Sequence, residues 1–391
     1  MFKIAILGFG VVGCGTAQVI SENREVIKKK CGEDIVISHI LDIRDFPDSP
    51  YKDLVTHNAD DVFGDPALDC CVETIGGARV AYEFTKRALS NGISVVTSNK
   101  ELVSTKGPEL LKIAEENNCS YLFEASVGGG IPIIRPLYRC LAANKILNIR
   151  GIVNGTTNYV LTSMKNNGLS YEEALIKAKE NGYAEADPTA DVEGIDAQRK
   201  LSILSTIAME GSYISPEEIK TQGISSVTLD DIRFAESINC QIKLIAYFKR
   251  SDDKCACYVM PHFVSRDKLI GNVDDVFNCV SVEGDYVGET LFYGRGAGSL
   301  PTASAVCGDV VELAACKMSE FVKPWSVPSA SIVIPYDEVR SDFIFWGGND
   351  VSSVRSDAVA LGSAFVVKNI TAKEADSIES ASGSRSMHFM A

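Results

Sequence analysis

The sequence predicts an α/β protein that combines a doubly wound parallel sheet with a second, mostly antiparallel sheet. In the N-terminal part, short apolar runs alternate with helical stretches, which is typical of parallel strands joined by crossover helices. The first apolar run leads directly into a glycine-rich turn at residues 8–13, the pattern of a Rossmann-type fold. Beyond residue 240, apolar runs follow one another at short intervals and predict antiparallel strands of an α+β domain.

Composition argues against several classes of function. The 391 residues are enough for two or three domains, and the formal net charge of −14 disfavours nucleic acids and anionic membranes as partners. The twelve cysteines are scattered without a Cys-x-x-Cys spacing, so we expect free thiols and a cytoplasmic location. The four histidines have no zinc-ligand spacing, and no apolar run reaches the length of a membrane span.

The turn at Gly8-Phe9-Gly10-Val11-Val12-Gly13 predicts a dinucleotide site. The first glycine permits the tight turn, the second lets the pyrophosphate approach the backbone, and the third lets the helix pack on the strand. The helix that follows, expected to continue to about Lys30, presents free N–H groups to the phosphates. The alternative is a plain tight turn between a strand and a helix.

The end of the second predicted strand, residues 35–42, should meet the adenosine ribose of the cofactor. An acid at this place favours NAD through the ribose 2′-hydroxyl, whereas an arginine accommodates the 2′-phosphate of NADP. The sequence offers both, as Asp42 and Arg44. We expect NADP bound through Arg44, with NAD as the other possibility. The alternative for Arg44 is a solvated loop residue.

The stretch 178–200 concentrates acids before a single lysine. Gly182 and Asp187-Pro188 predict a loop, and the residues from Ile195 onward predict a helix. Asp196 and Lys200 then lie four residues apart on one helical face. Such a pair is either a solvated salt bridge or, if partly desolvated, a lysine of lowered pKa that can pass a proton.

The acids of the preceding loop favour the second interpretation of this pair. Glu185, Asp187 and Asp191 gather negative charge just before the helix, where they can hold the ammonium group of an amino-acid substrate. We therefore expect proton transfer and substrate binding to share this stretch.

Two further stretches end strands or begin helices with polar residues. Residues 93–100 predict a strand whose carboxyl end faces the ligand crevice, so Lys100 is a candidate second active-site lysine. If Lys100 and Lys200 converge, each lowers the pKa of the other. The alternative for Lys100 is an exposed lysine at a helix start. Residues 154–159 place small polar donors before a helix, where they bind a substrate carboxylate or simply cap the helix.

Residues 120–132 predict a strand that runs into a glycine-rich loop. Its glycines can turn main-chain carbonyl groups inward, and Glu124 adds a carboxylate. Hard monovalent cations prefer such oxygen ligands. A simple hinge loop is an equally good interpretation of the same residues.

Several of these stretches resemble motifs of the homoserine dehydrogenase family. Residues 178–200 match the pattern A-x3-G-aromatic followed by D-P-x2-D-hydrophobic-x-G-x-D-x3-K at every fixed position. The resemblance covers about residues 1–320, with further motifs at 97–100, 124–132, 154–159 and 293–302. At 97–100 the sequence has Ser98 where the family motif has alanine.

The resemblance implies NAD(P)-dependent interconversion of L-homoserine and L-aspartate 4-semialdehyde, in the biosynthesis of threonine, methionine and isoleucine. It also implies a homodimer formed through the sheets of the second domain. Carried over to this sequence, the catalytic residues are Lys200, Lys100 and Asp196, and the substrate-binding residues are Glu185, Asp191, Asp196, Tyr183, Gly155 and Thr156. The implied cofactor-binding residues are Gly8, Phe9, Gly10, Val11, Val12, Gly13, Arg44, Thr74, Ser98, Lys100, Gly182 and Gly298, and a sodium or potassium site falls to Glu124, Val127, Gly129 and Ile131.

We expect a dinucleotide-binding domain over 1–135, completed by a returning helix over 299–318, and a substrate-binding and dimerisation domain over 136–298. The tail, 319–391, lacks the usual opening of the family's regulatory domain and is either a divergent, reduced regulatory module or a packing element. Its last residues, rich in serine and methionine, are expected to be disordered.

Two other functions stay open at this point. The first is another amino-acid dehydrogenase of similar layout, which a substrate panel would distinguish. The second is a non-catalytic NAD(P)-binding regulatory paralogue. The presence of Lys100, Glu185, Asp196 and Lys200 together argues against the second, because a sensor has no need of them.

Overall fold

The structure is a computed structural model, and it describes residues 1–316 and 322–391. By compactness it divides into two units. The first comprises Met1–Ala143, Thr206–Ser215 and Gly294–Pro328, and the second comprises Asn144–Ser205, Pro216–Tyr293 and Ser329–Ala391. The domain boundaries expected from the sequence stay a prediction. By compactness, residues 329–391 share a unit with most of the expected substrate domain.

The elements are numbered along the chain. The helices are α1 (Val11–Glu22), α2 (Arg24–Cys31), α3 (Ala59–Phe63), α4 (Arg79–Ser90), α5 (Lys100–Glu116), α6 (Gly155–Asn167), α7 (Tyr171–Glu180), α8 (Thr189–Val192), α9 (Ile195–Ala208), α10 (Leu229–Ser237), α11 (Ser299–Ala315) and α12 (Ala372–Ser382). The strands are β1 (Phe2–Leu7), β2 (Ile35–Leu41), β3 (Val55–Thr56), β4 (Cys70–Glu73), β5 (Ser94–Thr97), β6 (Tyr121–Leu122), β7 (Ile146–Ile152), β8 (Lys220–Thr221), β9 (Cys240–Ser251), β10 (Lys254–Ser265), β11 (Phe277–Gly284), β12 (Gly288–Arg295), β13 (Arg340–Trp346), β14 (Val359–Leu361), β15 (Ala364–Thr371) and β16 (Arg385–Met390).

The first unit contains a parallel sheet in the order β3-β2-β1-β4-β5-β6. This confirms the predicted doubly wound sheet, whose order reverses beside β1. Its strands bury apolar side chains such as Ile4, Val72 and Val96, as strands covered on both faces do. The helix expected to continue to about Lys30 is instead two helices, α1 and α2, which meet at Asn23.

Helix α11 returns the chain to the core of the first unit. Its residues Val306 and Val310 belong to the same buried cluster as Ile4 and Ile6 of β1. A helix over 299–318 was expected here, and it is found as Ser299–Ala315. The last two expected positions, 317 and 318, lie outside the described residues.

The second unit contains a mixed, mostly antiparallel sheet, as predicted. Its order is β12-β11-β7-β9-β10-β16-β13-β15-β14, and β8 also pairs with β10. Most neighbours in this order are antiparallel, but β16 runs parallel to β10 with His262 opposite His388.

The expectation that the C-terminal residues are disordered is wrong. Residues 385–390 form β16, which lies between β10 and β13 in the interior of the sheet. The main-chain groups of β16 are therefore paired on both sides. Local composition did not show this, because the partners of the strand lie far away in the sequence.

Among the described residues, none of the helices has the combination of length and apolar character that a membrane crossing requires.

Candidate active site

Lys200 and Asp196 form a buried ion pair on α9. Lys200 Nζ lies 2.7 Å from Asp196 Oδ2 and also donates a hydrogen bond of 2.7 Å to the main-chain oxygen of Val153. Only 11% of the lysine side chain and 5% of the aspartate side chain are exposed. The pair is therefore a desolvated structure, unlike the solvated salt bridge that was the alternative interpretation. In such surroundings an ion pair persists only where its geometry and further hydrogen bonds compensate the lost hydration.

Asn154 joins this pair to a second acid. Its Nδ2 donates hydrogen bonds of 2.8 Å to Asp196 Oδ2 and of 2.7 Å to Asp191 Oδ1. Its Oδ1 accepts from the main-chain N–H of Thr157 at 2.9 Å and so caps α6. From the sequence, Asn154 was expected to belong to a polar stretch, residues 154–159, that either binds a substrate carboxylate or caps the helix. Its bridging role depends on α8 and α9 folding back over the start of α6, which no local signal in the sequence reports.

The two residues expected to bind substrate on α6, Gly155 and Thr156, occupy its first positions, where helix geometry leaves N–H groups without an intrahelical acceptor. Thr156 Oγ1 donates to the main-chain oxygen of Tyr183 at 2.6 Å, which ties the loop after α7 to this helix start. A Cβ atom on Gly155 would lie 2.9 Å from the main-chain oxygen of Val276, so the position has no room for a side chain. The ring centroids of Tyr183 and Tyr159 are 4.8 Å apart.

The acidic loop between α7 and α9 holds its carboxylates in different environments. Asp191 is half-buried and bound by Asn154, whereas Glu185 is exposed. The side chain of Asp187 accepts hydrogen bonds from the main-chain N–H and the hydroxyl of Thr189, at 3.1 and 2.6 Å. These bonds lower the pKa of Asp187 and give it a local structural role at the start of α8. Gly182 has a φ of +74° directly after α7, as expected for a glycine that ends a helix.

In the first unit, a cavity of about 450 Å³ lies at the carboxyl ends of the parallel strands. The predicted cofactor residues that line it are Gly8, Gly10, Arg44 and Thr74. Gly8 has a φ of +92°, and a Cβ atom on Gly13 would lie 2.2 Å from the main-chain oxygen of Gly8. A turn that excludes side chains at these positions lets a pyrophosphate approach the start of α1, so the cavity fits a dinucleotide.

Asp42 and Arg44 form a single polar group that lines this cavity just beyond the end of β2. Arg44 donates to Asp42 through Nε at 3.0 Å and Nη2 at 3.1 Å, and the main-chain N–H of Phe9 donates to Asp42 at 2.7 Å. Burial raises the pKa of Asp42, but the hydrogen bonds from Arg44 and Phe9 outweigh it and lower the pKa to about 2. The guanidinium also stands over the ring of Phe46, 5.1 Å from its centroid, while 59% of the Arg44 side chain stays exposed.

The remaining predicted cofactor residues lie in several places. Phe9, Val11, Val12 and Gly13 belong to the glycine turn and the start of α1, whereas Ser98 and Lys100 follow β5 in the same unit. Gly298 precedes α11 with a φ of +123°. Gly182 belongs to the second unit.

The glycine-rich loop after β6 has a structural use for Glu124. The carboxylate of Glu124 accepts three main-chain hydrogen bonds, from Ile133 and Ile134 at 2.7 and 3.0 Å and from Arg135 at 2.6 Å. Two residues of the loop, Gly128 and Gly129, have φ values of +76° and +54°. Because the carboxylate is engaged in this way, main-chain oxygens are the ligands that this loop can best offer to a cation.

Comparisons with known proteins agree with this geometry. Residues 8–124 match a family model described as the NAD-binding domain of homoserine dehydrogenase, and residues 132–311 match the model described as homoserine dehydrogenase. A homoserine dehydrogenase of Neisseria gonorrhoeae is 37% identical over 361 residues, which are 87% of this chain and 80% of the relative. One from Bacillus subtilis is 40% identical over 314 residues, which are 79% of this chain and 72% of the relative.

Solved structures give the same result. A homoserine dehydrogenase from Thiobacillus denitrificans has a TM-score of 0.90 at 34% identity and covers 99% of this chain and 98% of its own. A hyperthermophilic archaeal homoserine dehydrogenase in complex with NADPH has a TM-score of 0.69 at 29% identity and covers 82% of this chain and 99% of its own. Taken with the nucleotide cavity and the buried lysine–aspartate pair, these similarities show that the chain belongs to the homoserine dehydrogenase family.

Proposed function

We propose that this chain interconverts L-homoserine and L-aspartate 4-semialdehyde, with Lys200 moving the proton at the substrate oxygen. The observation that carries this assignment is the buried contact of 2.7 Å between Lys200 and Asp196. The nicotinamide cofactor supplies or accepts the hydride when it is bound. The reaction belongs to the biosynthesis of threonine, methionine and isoleucine.

Lys200 is suited to this role by its hydrogen bonds. Its ammonium group has three N–H donors, and the bonds to Asp196 and to the oxygen of Val153 use two of them. The third is available to the aldehyde oxygen of aspartate semialdehyde, to which Lys200 gives a proton as the hydride arrives at carbon. In the opposite direction, Lys200 takes the hydroxyl proton of homoserine. Asp196 fixes the position of Lys200 and contacts the substrate.

The substrate's charged groups are held by the loop and by the start of α6. Glu185 and Asp191 bind the ammonium group, and the N–H groups of Gly155 and Thr156 bind the carboxylate. Because Asn154 bonds both Asp191 and Asp196, the ammonium site and the proton-transfer pair are held together. Tyr183, tied to α6 through Thr156, borders the same site.

We assign the cofactor as NADP, with Arg44 binding the 2′-phosphate. Its guanidinium is exposed and already oriented by Asp42 and Phe46, which lowers the cost of fixing it on a phosphate. NAD, bound through Asp42, is the alternative cofactor. Lys100, the first residue of α5, is the second lysine of the reaction and supplies orientation and positive charge.

Two further assignments complete the proposal. Sodium or potassium is bound by main-chain oxygens of the glycine-rich loop, at Glu124, Val127, Gly129 and Ile131. Two copies of the chain associate through the sheet of the second unit, where Leu291 and Tyr293 of β12 are 38% and 56% exposed. Activity measured in sodium chloride and in potassium chloride tests the cation site. The mass in solution, measured by light scattering, tests the association of two copies. A cytoplasmic location, with twelve free thiols, is part of the same proposal.

The proposed reaction is tested by initial rates of absorbance change at the nicotinamide band, with aspartate semialdehyde and either NADPH or NADH. Rapid oxidation of the reduced cofactor in the presence of aspartate semialdehyde establishes the reaction and the substrate. The cofactor that gives the higher initial rate decides between NADP and NAD. Cofactor binding without turnover would contradict the enzymatic assignment and favour the regulatory paralogue. Turnover of other amino-acid aldehydes in preference to this one would favour another dehydrogenase.

A further inference from the structure

The first unit buries a carboxyl group that has no part in the proposed chemistry. Glu73 is the last residue of β4 and is fully buried. Its Oε1 accepts the main-chain N–H of Ile75 at 2.7 Å, and its Oε2 accepts the hydroxyl of Thr97 at 2.5 Å. Burying a carboxyl group costs free energy unless hydrogen bonds compensate the lost hydration, and these two bonds do so at Glu73.

The two bonds of Glu73 join the loops that follow β4 and β5. Thr97 Oγ1 in turn accepts the main-chain N–H of Asn99 at 2.9 Å. Asn99 Nδ2 donates to the main-chain oxygen of Gly77 at 2.8 Å, and Asn99 Oδ1 caps α5 by accepting from Leu102 at 3.1 Å. One connected set of hydrogen bonds therefore runs from Glu73 to both loops and to the start of α5.

The same set reaches the wall of the nucleotide cavity. Thr74, the neighbour of Glu73, donates from Oγ1 to the main-chain oxygen of Gly8 at 2.6 Å. A Cβ atom on Gly8 would lie 2.9 Å from the main-chain oxygen of Thr74, so the two segments are in close contact. Thr74 and Ile75 line the cavity together with Gly8, whereas Glu73 does not line it.

We propose that Glu73 is a positioning residue for the dinucleotide, which holds loop 74–77 and residues 97–100 in the geometry that the bound cofactor requires. The proposal rests on the function above, since it takes the cavity to be the site of NADP(H). Glu73 acts through Ile75 and Thr97 and does not touch the cofactor itself. A buried acceptor of two hydrogen bonds at this point sets the spacing of the two strand ends more strictly than apolar packing would.

The test measures NADPH affinity directly, by the fluorescence of the bound nucleotide, and separately the KM and kcat of each variant. Glu73→Leu removes both bonds, and we expect it to weaken NADPH binding about tenfold or more. Glu73→Gln keeps one acceptor and should lose only a few-fold, which amounts to partial rescue by the conservative change. The KM for NADPH should rise more than the KM for the semialdehyde, with kcat changing least.

Thr97→Val provides a second route if Glu73→Leu does not fold, because it removes one hydroxyl and nearly conserves volume. Its matched control is Thr85→Val on α4, at a buried threonine whose hydroxyl has no hydrogen-bond partner among the described residues. Thr97→Val should weaken NADPH binding several-fold, and Thr85→Val should leave it unchanged.

The outcomes separate this proposal from the one on which it rests. If wild-type protein binds and oxidises NADPH while the Glu73 and Thr97 variants bind it equally well, the positioning role is wrong and the proposed function stands. In a third outcome, NADPH affinity and kcat fall, the KM for the semialdehyde rises, and all three changes follow a loss of thermal stability. Glu73 is then only a structural residue. If wild-type protein binds neither NADPH nor NADH, both proposals are overturned.

Discussion

Asn154 Nδ2 lies 2.8 Å from Asp196 Oδ2, so the residue that caps α6 also contacts the carboxylate that holds Lys200. The start of α6 and the first turn of α9 are therefore fixed relative to each other by one amide group. An amide that donates to two carboxylates and accepts from a main-chain N–H is used almost to its full capacity. The arrangement links the proposed carboxylate site, ammonium site and proton donor within the second unit.

Replacing Lys200 by methionine should lower kcat by a factor of about 10² or more, because the proposed proton transfer at the substrate oxygen is made by the Lys200 ammonium group. NADPH affinity should be unchanged. The measurement is steady-state turnover of aspartate semialdehyde together with a binding titration. Lys112→Met is the matched control, since Lys112 pairs with Glu116 over the same spacing but both side chains are largely exposed. A Lys200→Met variant that keeps the wild-type kcat would remove Lys200 from the mechanism.

Asn154→Ala should raise the KM for the semialdehyde and lower kcat, together about tenfold in kcat/KM, because a buried carboxylate loses a charge-assisted bond. Loss of the helix cap alone predicts only a fall in stability of about 1 kcal/mol. Thr371→Ala, which removes the cap of α12, is the control that separates the two effects. Equal kinetics in both variants would reduce Asn154 to a simple cap.

Arg44→Ala should raise the KM for NADPH by about tenfold or more while leaving the KM for NADH unchanged or lower. The reason is that the guanidinium is the proposed partner of the 2′-phosphate, and its removal frees Asp42 for a ribose hydroxyl. Kinetics with both cofactors give the ratio directly. Arg24→Ala is the control, because Arg24 is similarly exposed and also bonded to an aspartate, Asp34, in the same unit. An unchanged cofactor ratio would contradict the role of Arg44.

The buried carboxyl group of Glu73 should also make the free energy of unfolding depend on pH. Burial raises its pKa from 4.5 to about 7, despite the opposing hydrogen bonds from Thr97 and Ile75, and the nearby titratable group is the Tyr121 phenol on β6. Because the folded state holds the proton more tightly than the unfolded state, the contribution of Glu73 is fully present below pH 4.5 and is lost as pH rises through about 7. The loss over this window is about 3 kcal/mol.

The comparison that checks this pH dependence is urea unfolding of wild type and Glu73→Gln without cofactor, at pH 5 and pH 8. The glutamine variant should gain stability over wild type at pH 8 relative to pH 5. Asp309, whose pKa is also raised to about 7 by burial, is present in both proteins and cancels in the difference. A difference between the two proteins that does not change with pH would mean that Glu73 titrates in its ordinary range.

Much of the cofactor half could be predicted from the sequence, because its signals are local. The turn from β1 into α1 needs glycine at position 8 because of its φ of +92°, and at position 13 because a Cβ atom there would lie 2.2 Å from the main-chain oxygen of Gly8 in the same turn. The helical register of α9 likewise places Asp196 and Lys200 on one face. The resemblance to family motifs supplied the expected substrate and the expected roles of individual residues.

The tertiary structure decided what depends on distant partners. Whether the Asp196–Lys200 pair is solvated or buried is set by β7 and α6, through Val153 and Asn154, which lie more than forty residues away. The pairing of β16 with β10 and β13 depends on partners elsewhere in the chain, so its composition alone suggested disorder. The role proposed for Glu73 likewise depends on the folded structure, which encloses its carboxyl group between the ends of two strands. Burial and pairing arise from contacts between segments, whereas a sequence pattern records the preferences of one segment at a time.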